Sequence, residues 1–205
     1  MVERTDSPLQ SDAGSRMRAA LQALKPPEAF SRSAAPVSSV FGRAAAAVPD
    51  DAHPAVTRDV VAQRIASLVT QLLLPGTTLV LMVVPDQRAA TEAAAQGSRL
   101  VDRGAVVVVL GPDLPRAVTD RTRVLTVPLR ADDSLSAEWG VIACGPARRA
   151  ALLAHEDSAG SGSWLWLSTR DGIAVHRAGT AVLERVPFLR LFVTPLEEQA
   201  DPVGT

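Results

Sequence analysis

Apolar residues in this chain gather into short runs at consecutive positions: Thr77–Val84, Val106–Leu110, Val124–Leu129, Gly140–Cys144 and Trp164–Ser168. The middle three are rich in β-branched residues and stopped by Gly, Pro or Asp, as buried strands are. Val106–Leu110 is apolar at every position, so both of its faces should be covered, as in a sheet flanked by helices. A different period separates these runs. Val61, Ile65, Leu68, Val69 and Leu72 recur at helical spacing and form one apolar stripe, which predicts a helix over about 54–73, opened by His53-Pro54 and ended by Pro75-Gly76. Pro85-Asp86 starts a second helix, to about Asp102, docked through Ala90, Ala94, Leu100 and Val101, with Gly104 at its C′ position. Strand, helix and strand in this order make a βαβ unit, right-handed if its strands are parallel.

Shorter elements complete the pattern. Ser38–Ala47 reads as a short helix with Ser38 or Ser39 as N-cap. Pro146–Glu156 reads as a helix with Pro at its first turn and Ala150, Leu153 and Ala154 inward. Two signals compete after Trp164–Ser168. Arg170-Asp171-Gly172 is a hairpin signal with Ile173–His176 as the returning strand, whereas Val175, Ala178, Val182 and Val186 follow a helical period; the helix is taken. Phe188–Val193 reads as a final short strand or an ordered tail. The fold class expected is α/β, with α+β as the alternative: a central, mostly parallel or mixed sheet of four or five strands flanked by helices. Residues 1–37 are expected to be a disordered segment and linker, 38–195 a single domain and 196–205 a frayed tail.

Composition narrows the function classes. The chain has 205 residues, 47% of them hydrophobic, and a formal net charge of −1, which offers no bulk attraction for nucleic acid. Basic residues are nearly all Arg, with Lys25 the sole Lys; with abundant Ala and Val this suggests a GC-rich bacterial genome. Cys144 is the one cysteine, so no internal disulfide can form, and a reducing cytoplasm is the simplest compartment. The N-terminus lacks the apolar stretch of a secretory signal, and no run approaches bilayer-spanning length.

Candidate chemistry is sparse. Asp132, Asp133 and Glu138 put three carboxylates within one loop, where a cation would need them to converge. The plainer reading is a solvated loop whose acids cap the next element. Trp139 stands where this loop enters a strand, and anchoring the loop by burial is favoured over stacking on a ligand. Glu138 beside it alternates to the opposite side, with solvent available to it. Gly111-Pro112-Asp113 and Gly145-Pro146 follow strands and, if the sheet is largely parallel there, lie at the carboxyl edge where open α/β sheets bind ligands, but no phosphate-binding glycine pattern is present. His53, His155 and His176 share no metal-ligand spacing. Ser168, His176 and Asp171 make a triad only on paper, since no nucleophile elbow surrounds the serine. Cys144 sits in an apolar strand as a core residue. Trp164 and Trp166 alternate with Leu165 and Leu167 and share one face, to be packed under a helix.

The order of these pieces resembles the DICT sensory domain, named for diguanylate cyclases and two-component systems. Ser38-Ser39-Val40-Phe41 resembles the family's serine-hydrophobic-Phe opening, and Val106–Pro115 its central strand and turn. Pro128–Trp139 with Gly140–Pro146 is the most specific part: a Leu, paired acids, another Leu, then Glu-Trp and a strand ending in Gly-Pro. Arg149–His155 and Thr169–Val186 resemble the following helix and the last segment. The likeness spans roughly Ser38–Val186. It departs where the family favours Asp-Arg-Asp, because Gly172 and Ile173 follow Asp171 here.

The resemblance implies a stand-alone, non-catalytic regulatory domain that binds a cytosolic signal or a partner protein: a transcription factor, kinase or cyclic-dinucleotide enzyme. The net charge and the lack of a spanning run add the expectation of no direct contact with nucleic acid or membrane; homo-oligomerisation is left open, and no cofactor is specified. Gly111, Asp113, Asp132, Asp133, Glu138, Trp139 and Asp171 are the candidate ligand- or partner-binding residues. The alternative is a small α/β enzyme or nucleotide-binding protein with its site at the strand carboxyl ends. A third reading is a scaffold whose Trp face docks a partner.

Overall fold

A computed structural model describes residues 39–48, 52–73, 79–114, 124–145, 148–158, 160–186 and 189. The five apolar runs all become strands: β2 (Leu79–Val83), β3 (Val106–Pro112), β4 (Val124–Leu129), β5 (Glu138–Cys144) and β7 (Ser163–Thr169). Two more strands, β1 (Ala52–Thr57) and β6 (Ala150–Glu156), enlarge the sheet to seven, in the order β1-β7-β6-β5-β2-β3-β4. β2, β3 and β4 run parallel, with Leu79–Val83 beside Val106–Leu110. Every other pairing is antiparallel. The fold is therefore α/β with a mixed sheet, two strands wider than the expected upper limit.

Both extra strands replace predicted helix. The helix expected over 54–73 begins only at Arg58, as α2 (Arg58–Leu72), and its first residues pair instead with β7 as the outermost strand. Pro54 is tolerated there because an edge strand has a side on which its missing N–H bonds nothing. The apolar stripe starts at Val61, inside α2, so helical periodicity never spoke for 54–57. The helix expected over 146–156 is overturned entirely. Ala150–Ala154 is buried at every position, between β5 and β7. A strand covered on both faces shows no alternation, and its Ala and Leu carry helix propensity that burial in the sheet outweighs.

Helices cover both faces. On one, α1 (Val40–Ala45) and α4 (Gly172–Leu183) close a core that includes Leu81, Val108, Leu135, Ile142, Leu153 and Leu167. On the other, α2 and α3 (Gln87–Asp102) cover Val80, Met82, Val107, Val141 and all three Trp side chains. α4 settles the choice between hairpin and helix: Asp171 accepts the Ala174 N–H at 2.8 Å as N-cap, so Asp-Gly opens a helix rather than turning a hairpin. α3 starts from Asp86 in the same manner, its carboxylate accepting the Ala89 N–H at 2.9 Å. It ends in a Schellman motif, with Gly104 at φ 90° and the N–H groups of Gly104 and Ala105 returning to the carbonyls of Val101 and Leu100. The expectations for 1–37 and 196–205, and for Phe188–Val193 save Leu189, fall outside the described residues. Among the described residues no helix is long and apolar enough to cross a membrane.

Candidate functional site

Register decides which candidate residues can meet. Val83 lies beside Gly140, Glu138 beside His155, and Glu156 beside Trp164. The carboxyl ends of the parallel strands thus share one sheet edge with the start of β5 and the end of β6. Gly111, Asp113, Asp132, Asp133, Glu138 and Trp139 all fall along it. Asp171 does not, because β7 ends beside the start of β6, whose neighbours on β5 are Ile142 and Ala143 at the opposite edge. Within the shared edge the sheet separates Trp139 from Glu138, one on each face.

The turn after β3 is occupied by packing. A Cβ on Gly111 would come within 2.5 Å of the Val84 side chain and 2.8 Å of its carbonyl oxygen, so only glycine lets these strands approach. Asp113 is exposed at φ 54°, a left-handed conformation that Asp tolerates in turns. The acids of the following loop diverge. Asp132 pairs with Arg130 at 2.9 Å in solvent, and that hydrogen bond with the guanidinium charge holds its carboxyl below the ordinary range. Asp133 accepts the Leu135 N–H at 3.0 Å, opening a short 3-10 helix (Ser134–Ala137) that plugs Leu135 into the core. On its other side Arg185 grips it, Nε 2.6 Å from Oδ2 and Nη2 donating to Oδ1 at 3.0 Å, with the two side chains 9% and 11% exposed. Among the described residues no three His, Cys, Asp or Glu side chains converge as metal ligands would.

Glu138 overturns the expectation that it faces solvent. It is 2% exposed, on the face covered by α1 and α4. Its Oε2 accepts the N–H groups of Val40 at 3.1 Å and Phe41 at 3.3 Å. Ser39 Oγ takes the next N–H, from Gly42, at 2.9 Å, and the Ser39 carbonyl takes that of Arg43 at 3.0 Å. The N–H groups of Val40, Phe41 and Gly42 are thus all satisfied, two of them by a carboxylate brought in from β5, and Arg43 makes the first intrahelical bond. Glu138 Oε1 is buried with no hydrogen-bond partner. Burial pushes the Glu138 carboxyl up to about 7, against the Ser39 hydroxyl and the two N–H groups that pull it down, with the Asp133 charge adding to the rise.

His155 stands directly opposite on β6, on the same face. Its ring stacks against Phe41 of α1, centroids 6.4 Å apart, and its Nδ1 is buried without a partner. A second tie, Arg43 to Glu184 at 3.0 Å, joins α1 to the end of α4. Sequence reasoning placed Ser39 as a cap but missed His155, Phe41 and Arg185. Gly140 and Ile142, which follow Glu138 at strand spacing, carried the one available signal that this face is interior.

Trp139 is buried on the far face at 5% exposure. It meets Trp164 edge-on at 6.0 Å, and the Arg58 guanidinium lies 5.2 Å from its ring centroid. Arg58 also pairs with Asp86, which fixes the start of α2 to the cap of α3. Burial pushes the Asp86 carboxyl up, but the Ala89 N–H and Arg58 prevail and hold it below its ordinary value. Trp166 is covered by Arg64, whose guanidinium lies 3.9 Å from the ring centroid. Beside Trp139, Ile65, Met82, Glu92 and Gln96 help to line a cavity of about 20 Å³, room for one water. Burial pushes the Cys144 thiol up to about 11, only partly offset by Arg149. Since the thiolate is the nucleophile, Cys144 is expected to react with a disulfide reagent at pH 7.5 far more slowly than free cysteine, the rate rising to the free value on denaturation.

No family model matches this chain, and no curated protein matches it. Among solved structures, a chain of the archaeal chromatin protein TrmBL2, described as showing a novel mode of DNA binding, is similar at a TM-score of 0.42 and 14% identity. The match covers 90% of this chain and 63% of that one, less than two thirds of its length. That neighbour is DNA-binding by its description, at odds with the charge-based expectation of no direct contact with nucleic acid; the expectation is corrected and withdrawn.

Proposed function

We propose that this chain is a regulatory domain of the DICT sensory type, which binds a signal molecule or a partner and performs no catalysis itself. The supporting observation is the junction at Glu138. Two segments that carry the resemblance, the opening Ser39–Phe41 and Glu138-Trp139 of its most specific part, meet across the fold, with the Glu138 carboxylate seated on the first N–H groups of α1. A capped helix seated on the sheet by an interior carboxylate, by Phe41 against His155 and by the Arg43–Glu184 pair is an element that a ligand or partner could switch between two positions. Regulation needs such a bistable element. Catalysis has less support. Asp132, Asp133 and Glu138 are engaged in pairing or capping, Asp113 stands exposed in a turn, and the cavity beside Trp139 has room for one water.

The test is a thermal-shift panel of cytosolic metabolites, nucleotides and duplex DNA on the purified chain, with the mixtures analysed afterwards by mass spectrometry. One ligand class is expected to raise the melting temperature by several degrees and to be recovered unchanged. Conversion of the stabilising compound into product would replace this reading with an enzymatic one.

A further inference from the structure

We infer that α1 is held on the sheet by a proton-operated latch, in which ionisation of Glu138 beneath Phe41 and beside His155 favours release of the helix. The inference rests on the regulatory reading and deepens it by naming how that junction is regulated; the latch stands on the seating of the Glu138 carboxyl under α1, and its pH window on the burial that raises that carboxyl.

Donors reach Glu138 from one side only. Val40 and Phe41 give their N–H groups to Oε2, while Oε1 faces the interior with nothing bound. With a neutral carboxyl this leaves one unsatisfied polar atom. With a carboxylate it leaves a buried, unpartnered oxygen sharing a negative charge, a desolvation penalty that outweighs the pull of the Ser39 hydroxyl and the two N–H groups. The surrounding groups offer little relief. From its own loop Asp133 opposes ionisation, and the two cations that reach that loop are already bound, Arg130 to Asp132 and Arg185 to Asp133. Beyond the end of α4, Glu184 is bound to Arg43 of α1. β2, on the other side of β5, is Leu-Val-Leu-Met-Val and presents no ionisable group. α1 itself contributes the Ser39 hydroxyl and its backbone. On β6 the one group is His155, with Nδ1 bare.

Releasing α1 admits water to Glu138 and returns its carboxyl toward the ordinary value of 4.5, from about 7 when seated. A proton held more tightly in the seated state means that rising pH favours the released one. With those two values the ratio of released to seated helix rises about tenfold between pH 6 and pH 8. The cytosolic range lies inside this window. The stacking of Phe41 on His155 and the Arg43–Glu184 pair set how rarely the helix opens at any pH, and Glu138 sets the slope.

Amide hydrogen exchange on the full chain at pH 6 and pH 8, converted to protection factors with intrinsic rates, reads this directly. Protection of residues 43–46 is expected to lie below that of Val80–Val83 and Val107–Val109, and to fall about tenfold from pH 6 to pH 8. In Glu138→Gln, which keeps an acceptor oxygen and cannot ionise, that fall is expected to vanish. Three outcomes overturn the latch: wild-type protection of 43–46 that is flat across the two pH values, a fall that persists in Glu138→Gln, or protection of 43–46 equal to that of the sheet. The wild-type series decides alone if the variant does not fold. A flat response would remove the latch and leave the regulatory reading to the ligand panel, whereas turnover in the panel would remove that reading and leave the latch.

Discussion

Trp139→Ala is expected to destabilise the protein by about 3–5 kcal/mol, the range for truncating an enclosed aromatic, and to lower the melting temperature by about 10 °C. The ring is 5% exposed and belongs to the core between the sheet and α2 and α3, where Val141 and Ala154 flank it on the same face. Its edge-on contact with Trp164 at 6.0 Å adds to simple burial. Pairing with Ala154 on β6, and of the adjoining Gly140 with Val83 on β2, fixes the backbone beneath it, so the space left by Ala would not collapse and the cavity cost would be met nearly in full. Arg58→Ala separates the ring from its cover. It removes the cation above Trp139 and the pair with Asp86, both at a half-exposed site, and should cost about 1 kcal/mol. Thermal melts of the two variants give the contrast. A wild-type-like melt for Trp139→Ala would mean that the ring contributes no core packing and would turn attention to the adjoining cavity as a binding site.

The same position shows what the sequence could and could not reveal. Trp139 was legible because a large aromatic at a loop–strand junction has few uses other than burial, and the five apolar runs were legible because each is too short for a buried helix and is bounded by turn residues or charge. β1 and β6 were not. Ala150–Ala154 satisfies a helical stripe as well as an interior strand, and only the presence of β5 and β7 on either side decides between them. β1 is defined by its pairing with β7, more than a hundred residues later, and its Pro54 reads locally as a helix start.

The site was legible in parts. Ser39 as a cap and Asp171 as a turn residue follow from local chemistry, although Asp171 proved to cap α4 at the far edge of the sheet. Glu138 was misjudged because alternation with Trp139 was equated with exposure. In a sheet covered on both sides the opposite face is another interior, and the groups that make it tolerable for a carboxylate, Val40 and Phe41, lie 98 and 97 residues away. His155 escaped for a related reason. Placed on a predicted helix it had no neighbour, whereas on β6 it stands opposite Glu138.

Glu138→Gln is expected to raise stability at pH 8 by up to about 3 kcal/mol and to leave it nearly unchanged near pH 4.5. The carboxyl titrates at about 7 in the folded chain against an ordinary 4.5, so the folded state holds its proton more tightly than the unfolded state. Its contribution to stability is fully present below pH 4.5, declines as pH rises through 7, and is constant above that. Over those 2.5 pH units, at about 1.4 kcal/mol for each, the wild type gives up what the uncharged amide retains. Glu138→Ala separates charge from capping. It too removes the ionisable group, but it leaves the Val40 and Phe41 N–H groups without an acceptor in a buried setting, at about 1–3 kcal/mol for each. At pH 5, where little of the charge penalty remains to be relieved, Glu138→Ala should therefore be clearly less stable than both the wild type and Glu138→Gln. At pH 8 the two effects oppose each other, and its deficit relative to the wild type should shrink. Denaturant unfolding of the three proteins at pH 5 and pH 8 resolves the pattern. Parallel stability curves for wild type and Glu138→Gln across that range would show that folding leaves the Glu138 carboxyl unshifted, and the charge penalty beneath α1 would have to be abandoned.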